Sequence, residues 1–211
     1  MRTIMVLNPK GGCGKSTIAT NIASFYASKG KSVMIADFDP QGSSIDWLAA
    51  RPDNVPEIEG IAAWKDGFKA QRNKDVLIMD VPAGVHGKDL TALIRRAQSV
   101  VIPVLPSPLD MRAAAKFVHE IHHVGKVEKN QVKLAVVANR VKENTLVFHM
   151  LEKFLKKLDI PFIGKLRDSQ NYIRAAERGL GVFELAPSSV YQDMEQWTSV
   201  TRWLNSKRSM P

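Results

Sequence analysis

From Thr3 to Leu204 the chain alternates short apolar runs with amphipathic stretches. Thr3–Asn8, Ser32–Asp37, Asp75–Asp80, Val100–Leu105, Val132–Asn139 and the short Pro161–Gly164 read as strands, because each is rich in β-branched or large apolar residues and too short for a buried helix. Helical patterns lie between and after them at Lys15–Lys29, which Gly30 ends, and at Ile61–Arg72, Leu90–Ala97, Leu109–Val124, Thr145–Leu158 and Ser188–Leu204. In Thr145–Leu158 the apolar set is Leu146, Met150, Leu151, Phe154, Leu155 and Leu158. Strands that are apolar on both faces and separated by helices predict an α/β fold: a mostly parallel, twisted sheet with helices on both faces. Such sheets bind ligands at the C-terminal ends of their strands. Lys10, Asp37 with Asp39, Asp80, and Asn139 all follow or end strands, so four strand ends are expected to converge on one site.

Composition narrows the class. A chain of 211 residues fits one compact domain spanning 1–211, and 45% apolar with 24% charged residues is an ordinary globular balance. No apolar run approaches the roughly 20 residues of a membrane span. Met1–Leu7 is too short for a signal peptide, and a glycine-rich loop follows at once. Cys13 is the one cysteine, which rules out an intrachain disulfide and agrees with a reducing, cytoplasmic setting. The net charge of +9 leaves two readings open: a basic soluble protein, or one that meets nucleic acid or an anionic membrane.

The chemistry concentrates just after the first strand. The phosphate-loop pattern G-x-x-x-x-G-K-[ST] would need glycine at position 9, which is Pro9, but Gly14-Lys15-Ser16 is intact and Gly11-Gly12 precede it. Glycines let backbone N–H groups turn inward toward phosphate oxygens, and a helix opening at Lys15 adds its positive end. Lys15 can neutralise phosphate charge, and the Ser16 hydroxyl can ligate Mg2+. A simple glycine-rich turn explains the glycines but not Lys-Ser-Thr opening a helix directly after a strand.

These residues carry a resemblance. Lys10-Gly11-Gly12-Cys13-Gly14-Lys15-Ser16-Thr17 is similar to the deviant Walker A motif of the ParA/MinD ATPases, a branch of the P-loop NTPases. Asp37-Phe38-Asp39-Pro40-Gln41-Gly42 resembles the DxDPQG segment of ParA proteins and favours ParA over MinD. Val76–Asp80 with Val81-Pro82-Ala83-Gly84 looks like the Walker B strand and second switch; Pro106–Asp110 and Gly179–Pro187 also look ParA-like.

The resemblance implies roles. Gly11, Gly12, Cys13, Gly14, Lys15, Ser16 and Thr17 would cradle the phosphates of ATP. Lys10 would reach the nucleotide of a second subunit, making an ATP-bound homodimer the active form. Asp39 would orient the attacking water, and Asp80 would hold Mg2+ through water. Asp37 is either part of the Mg2+ shell or a polar strand terminus. Asn139 is either an adenine-reading amide or a structural strand end, and Pro187 lies in a region that the family uses near the base.

Partners follow from the same likeness. Lys165, Arg167, Arg174 and Arg178 are candidates for sequence-independent DNA binding, with Lys153, Lys156 and Lys157 a second cluster and Arg202, Lys207 and Arg208 a third; each is equally readable as a solvated face. A ParB-like protein or cargo adaptor would stimulate hydrolysis, placing the protein on the nucleoid. The sequence begins at the first strand, so the operator-binding domain of larger ParA repressors is not expected. Trp197, Val200, Thr201 and Leu204 share a helical face, which raises a MinD-like membrane-bound alternative, but the face is expected to pack on the core. A non-catalytic nucleotide-binding scaffold is a further alternative. The nitrogenase iron protein is excluded, because its cluster needs two cysteines per subunit. Cys13 itself, at a helix start beside Lys15, is expected to be a reactive low-pKa thiol or else an inert buried one.

Overall fold

The computed structural model describes residues 1–68, 73–124, 127 and 129–211. Its strands are β1 (Arg2–Val6), β2 (Val33–Asp37), β3 (Ile58–Ala62), β4 (Val76–Asp80), β5 (Ser99–Val104), β6 (Lys133–Val141) and β7 (Phe162–Arg167). Its α-helices are α1 (Lys15–Ser28), α2 (Ser43–Ala49), α3 (Ala63–Asp66), α4 (Gly87–Ile94), α5 (Pro108–His122), α6 (Leu146–Leu155), α7 (Gln170–Ala176) and α8 (Pro187–Leu204). Short 3-10 turns occupy Val182–Glu184 and Lys207–Ser209.

The strands form a seven-stranded sheet in the order β3-β2-β4-β1-β5-β6-β7, and each pairing is parallel. An all-parallel sheet needs cover on both faces, and the alternation of side chains supplies two cores. Met5, Leu7, Met34, Leu77 and Met79 face the side covered by α4, α5 and α6. Ile4, Val6, Ile35 and Ile78 face the side covered by α1, α2 and α8. Each such fully buried side chain contributes about 1.5–3 kcal/mol of transfer free energy. β1 sits where the connections change direction, with β4 on one flank and β5 on the other. The loop after β1 therefore lies at the topological switch point, the usual ligand crevice of open α/β sheets.

Several elements depart from the sequence pattern. The expected helix Ile61–Arg72 begins instead as strand β3, followed by the single turn α3; residues 69–72 lie outside the described set. Glu59 and Gly60 disguise β3, an edge strand that buries little. A Cβ at Gly60 would lie 2.4 Å from Leu48 Cδ1, so any larger residue there would displace the Leu48 side chain. The seven-residue helices α2 and α7 are too short to show a period. In α6 the buried stripe is Phe148, Leu151 and Leu155, while Leu146 and Met150 are exposed. Thr145 sets this phase by capping the helix, its hydroxyl accepting the N–H of Phe148 at 3.3 Å.

Candidate active site

The phosphate loop runs from Leu7 to Gly14, between β1 and α1. Asn8 stitches it down: its side chain donates to the carbonyl of Pro103 at 2.5 Å and accepts the N–H of Lys10 at 2.8 Å. Gly12 and Gly14 take φ of +73° and +89°, the left-handed region in which side chains are strained. Gly14 is doubly constrained, since a Cβ there would lie 2.3 Å from Asn139 Nδ2. Lys15 opens α1 and is buried, its ammonium donating to the carbonyl of Lys10 at 3.2 Å.

Cys13 corrects one expectation. The side chain is fully buried, and its Sγ donates to the Lys10 carbonyl at 3.3 Å. Burial pushes the thiol up, and Lys15 only partly opposes the shift. Desolvation of the thiolate outweighs the helix start, so the reactive low-pKa thiol is replaced by the inert one. The sulfur points into the fold and is absent from the cavity lining.

The acidic residues come from two neighbouring strand ends. The β2–β4 register places Asp37 opposite Asp80. Both carboxylates are essentially inaccessible to solvent. Asp37 accepts the N–H of Asp39 at 2.9 Å on one oxygen and that of Ser44 at 3.0 Å on the other. Both of its oxygens thus serve the loop that follows β2. Burial pushes Asp37 up, and these N–H groups oppose the shift. Asp80 is pushed up to about 6, first by burial; hydroxyls of Ser44 and Ser16 and the charge of Lys15 oppose this, and Asp37 adds to it.

This donor set fits Mg2+. Ser16 and Asp80 offer hard oxygen ligands side by side, and a dication would offset the desolvated charge on Asp80. No group of three or more His, Cys, Asp or Glu among the described residues forms a metal cage. Mg2+ in nucleotide sites usually needs none, because phosphates and waters complete its shell.

A cavity of about 540 Å³ opens over the loop. Gly11, Gly12, Gly14, Lys15, Ser16, Thr17, Asp39 and Asn139 all line it. Lys10 is not among its lining residues. Asn139 donates its amide to the Cys13 carbonyl at 2.8 Å, so part of its capacity holds the loop. Sequence reasoning missed the far wall: Arg140, Asp168, Ser169, Tyr172, Ile173, Ala176 and Glu177, from the end of β6, the β7–α7 connection, and α7 with its C-cap. Pro187 is not in the lining. One signal was available, the N-cap Ser169 that opens α7. Arg140 has a φ of +52° at a register shift between β6 and β7, a strained position for a side chain that borders the cavity. Ser44 was also missed, since only the fold brings it to Asp80.

The four basic candidates separate into two pairs. Arg167 is committed to the fully buried Asp193, with Nε at 2.6 Å and Nη2 at 3.0 Å, and to Gln192. Lys165 pairs with Glu143 at 2.9 Å and lies over the Phe148 ring. Arg174 and Arg178 are exposed, at the end of α7 and just beyond it. Lys156 pairs with Glu152 at 3.1 Å on α6. On α8, Trp197, Val200 and Leu204 are buried in the core beside α1. No helix among the described residues is long and apolar enough to cross a membrane.

Comparison with known proteins bears on this geometry. Residues 4–182 match the family model described as the CobQ/CobB/MinD/ParA nucleotide binding domain. The maintenance of carboxysome distribution protein A of Halothiobacillus neapolitanus is 30% identical over 190 residues, covering 87% of each chain. Among solved structures, the MinD cell division protein of Aquifex aeolicus superposes with a TM-score of 0.73 at 19% identity, covering 100% of this chain and 99% of that one. The McdA–ATP complex of Cyanothece gives 0.70 at 17% identity, covering 95% and 96%. These two likenesses concern the fold.

Proposed function

The chain belongs to the CobQ/CobB/MinD/ParA nucleotide-binding family, and from that premise we propose that it is a ParA-type ATPase that uses ATP and Mg2+. In this reading ATP binding favours a homodimer, the dimer binds DNA without sequence preference, and partner-stimulated hydrolysis releases it to position a cargo. The observation that carries the reading is the convergence of Lys15, Ser16, Asp39 and Asn139 on one cavity at the switch point of the sheet. The relative named for carboxysome distribution supports a positioning role.

The residues divide the work. Loop N–H groups and the start of α1 receive the phosphates, and the Lys15 ammonium leaves the Lys10 carbonyl to neutralise them. Ser16 and Asp80 would hold Mg2+, which would neutralise phosphate charge. Asp37 clamps the loop that presents Asp39 at the cavity, where its carboxylate orients water. Lys10 is outside the cavity of its own chain, which supports service in a second subunit's site as a cation meeting transition-state charge. Arg174 and Arg178, exposed beside the cavity wall, are the favoured DNA contacts; Lys165 and Arg167 are already committed.

Size exclusion with light scattering, run with ATP, ADP or no nucleotide, and filter binding to unrelated DNA duplexes test the reading together. Dimer formation and DNA retention with ATP alone are expected. A monomer in all three states, or nucleotide-independent DNA binding, overturns the proposed cycle. Strong ATP-dependent binding to anionic vesicles without DNA binding would favour the MinD-like alternative, which the buried face of α8 disfavours.

A further inference from the structure

Ser44 lies in the first turn of α2 and is fully buried, yet it does not cap that helix, because Gly42 holds the N-cap position. Its polar groups serve the two carboxylates instead. The backbone N–H donates to Asp37 Oδ2 at 3.0 Å, and the hydroxyl donates to Asp80 Oδ2. The other oxygen of Asp37 takes the N–H of Asp39. Asp37 therefore grips both ends of the segment from Asp39 to Ser44.

The segment is also braced from within. Asp39 accepts the N–H of Gln41 on its side chain at 3.0 Å and that of Gly42 on its carbonyl at 2.9 Å. Gly42, at φ +67°, lies under the Trp64 ring; a Cβ there would come within 3.2 Å of the indole. Among the described contacts, the side-chain link from this closed segment to Asp80 is the Ser44 hydroxyl.

We propose that Ser44 is a positioning residue for ATP hydrolysis, tying the loop that presents Asp39 to the Asp80 carboxylate so that both are held as one unit. The proposal rests on the ATPase reading above. With Ser44 on one oxygen and Ser16 also donating, Asp80 is fixed in rotation at the place where Mg2+ would be received. Loss of a hydrogen bond to a buried carboxylate costs about tenfold or more in the equilibrium that it supports. Alanine at 44 removes the hydroxyl and keeps the backbone N–H that binds Asp37.

The test compares wild type, Ser44→Ala and Ser44→Thr by calorimetric ATP titration in EDTA, by Mg2+ titration of ATP binding, and by steady-state turnover. For Ser44→Ala we expect Mg2+-free ATP affinity within about twofold of wild type, a half-saturating Mg2+ concentration raised about tenfold, and kcat lowered about tenfold at saturating Mg2+. Threonine, which keeps the hydroxyl, should restore both. Mg2+ dependence and kcat both within about twofold of wild type would overturn the proposal. An equal loss of Mg2+-free ATP affinity would also overturn it, since that marks a packing defect. A wild type that binds ATP without hydrolysing it would strike down the function above, and the Mg2+ titration would then decide the role of Ser44 alone.

Discussion

The side-chain amide of Asn139 donates to the backbone carbonyl of Cys13 at 2.8 Å, pinning the phosphate loop to β6 across 126 residues of sequence. The same amide nitrogen lies 2.3 Å from where a Cβ on residue 14 would be, so Asn139 adds to the positive φ in demanding glycine at 14. Asn139→Ala should weaken ATP affinity about fivefold to tenfold through a loosened loop, as expected for loss of a buried hydrogen bond. Titration calorimetry checks this; an unchanged affinity would mean that the loop holds its shape unaided.

Cys13 should resist alkylation. Its thiol is buried, pushed up by desolvation, and points away from the cavity. Iodoacetamide should label it slowly with or without nucleotide and rapidly only in denaturant, and Cys13→Ala should keep ATP binding. Rapid labelling of the native protein that ATP suppresses would place the sulfur toward the phosphates instead.

Asp39 lines the cavity, while its backbone N–H is held by Asp37. Asp39→Ala should bind ATP within about threefold of wild type yet turn over about a hundredfold more slowly, the usual scale for losing a group that positions a water. Pre-steady-state phosphate release separates the two effects. Wild-type turnover would remove Asp39 from the mechanism.

The basic residues should divide as their contacts do. Arg174→Glu and Arg178→Glu should weaken DNA binding and flatten its salt dependence without lowering thermal stability. Arg167→Ala should instead destabilise the protein by about 2 kcal/mol, because it removes the cationic partner of the buried Asp193 carboxylate and leaves it only neutral donors. A fluorescence melting curve and a salt series of DNA binding are the two readouts. Equal DNA defects and equal melting points across all three would erase the distinction.

Asp193 gives a pH prediction. Burial pushes its carboxyl up, but hydrogen bonds from Arg167 and Asn171 and the charge of Arg167 outweigh this and hold it below the usual carboxylate range. A carboxyl that is lower in the folded than in the unfolded state adds stability above its unfolded pKa, about 3.9, and loses it as pH falls through the folded value. The stability gap between wild type and Asp193→Asn should therefore be constant from neutral pH to about 5 and shrink below about 4. Urea unfolding at several pH values measures it; a gap that widens in acid would reverse the sign.

Much of the architecture was legible because parallel strands buried on both faces must be continuous apolar runs. β1, β2, β4, β5 and β6 announced themselves in this way, and the glycines and lysine between β1 and α1 marked the phosphate loop. β3 was hidden because an edge strand can carry Glu59 and Gly60. The far wall of the cavity was illegible for another reason: Tyr172, Ile173 and Glu177 reach it through a short helix whose placement depends on Asp193, a residue of α8 that holds Asn171 and Arg167. Ser44 shows the same limit, since its partner Asp80 is 36 residues away.

The central claim, that the loop after β1 receives the phosphates of ATP, is tested most directly by calorimetric titration of Mg·ATP into wild type and Lys15→Ala. Lys15 supplies the buried ammonium of the loop, and removal of a charged hydrogen-bonding group from such a site costs about a hundredfold in affinity. Saturable one-site binding to wild type and its loss in Lys15→Ala, with an unchanged circular dichroism spectrum, is the expected result. Binding of equal affinity in both proteins would contradict it.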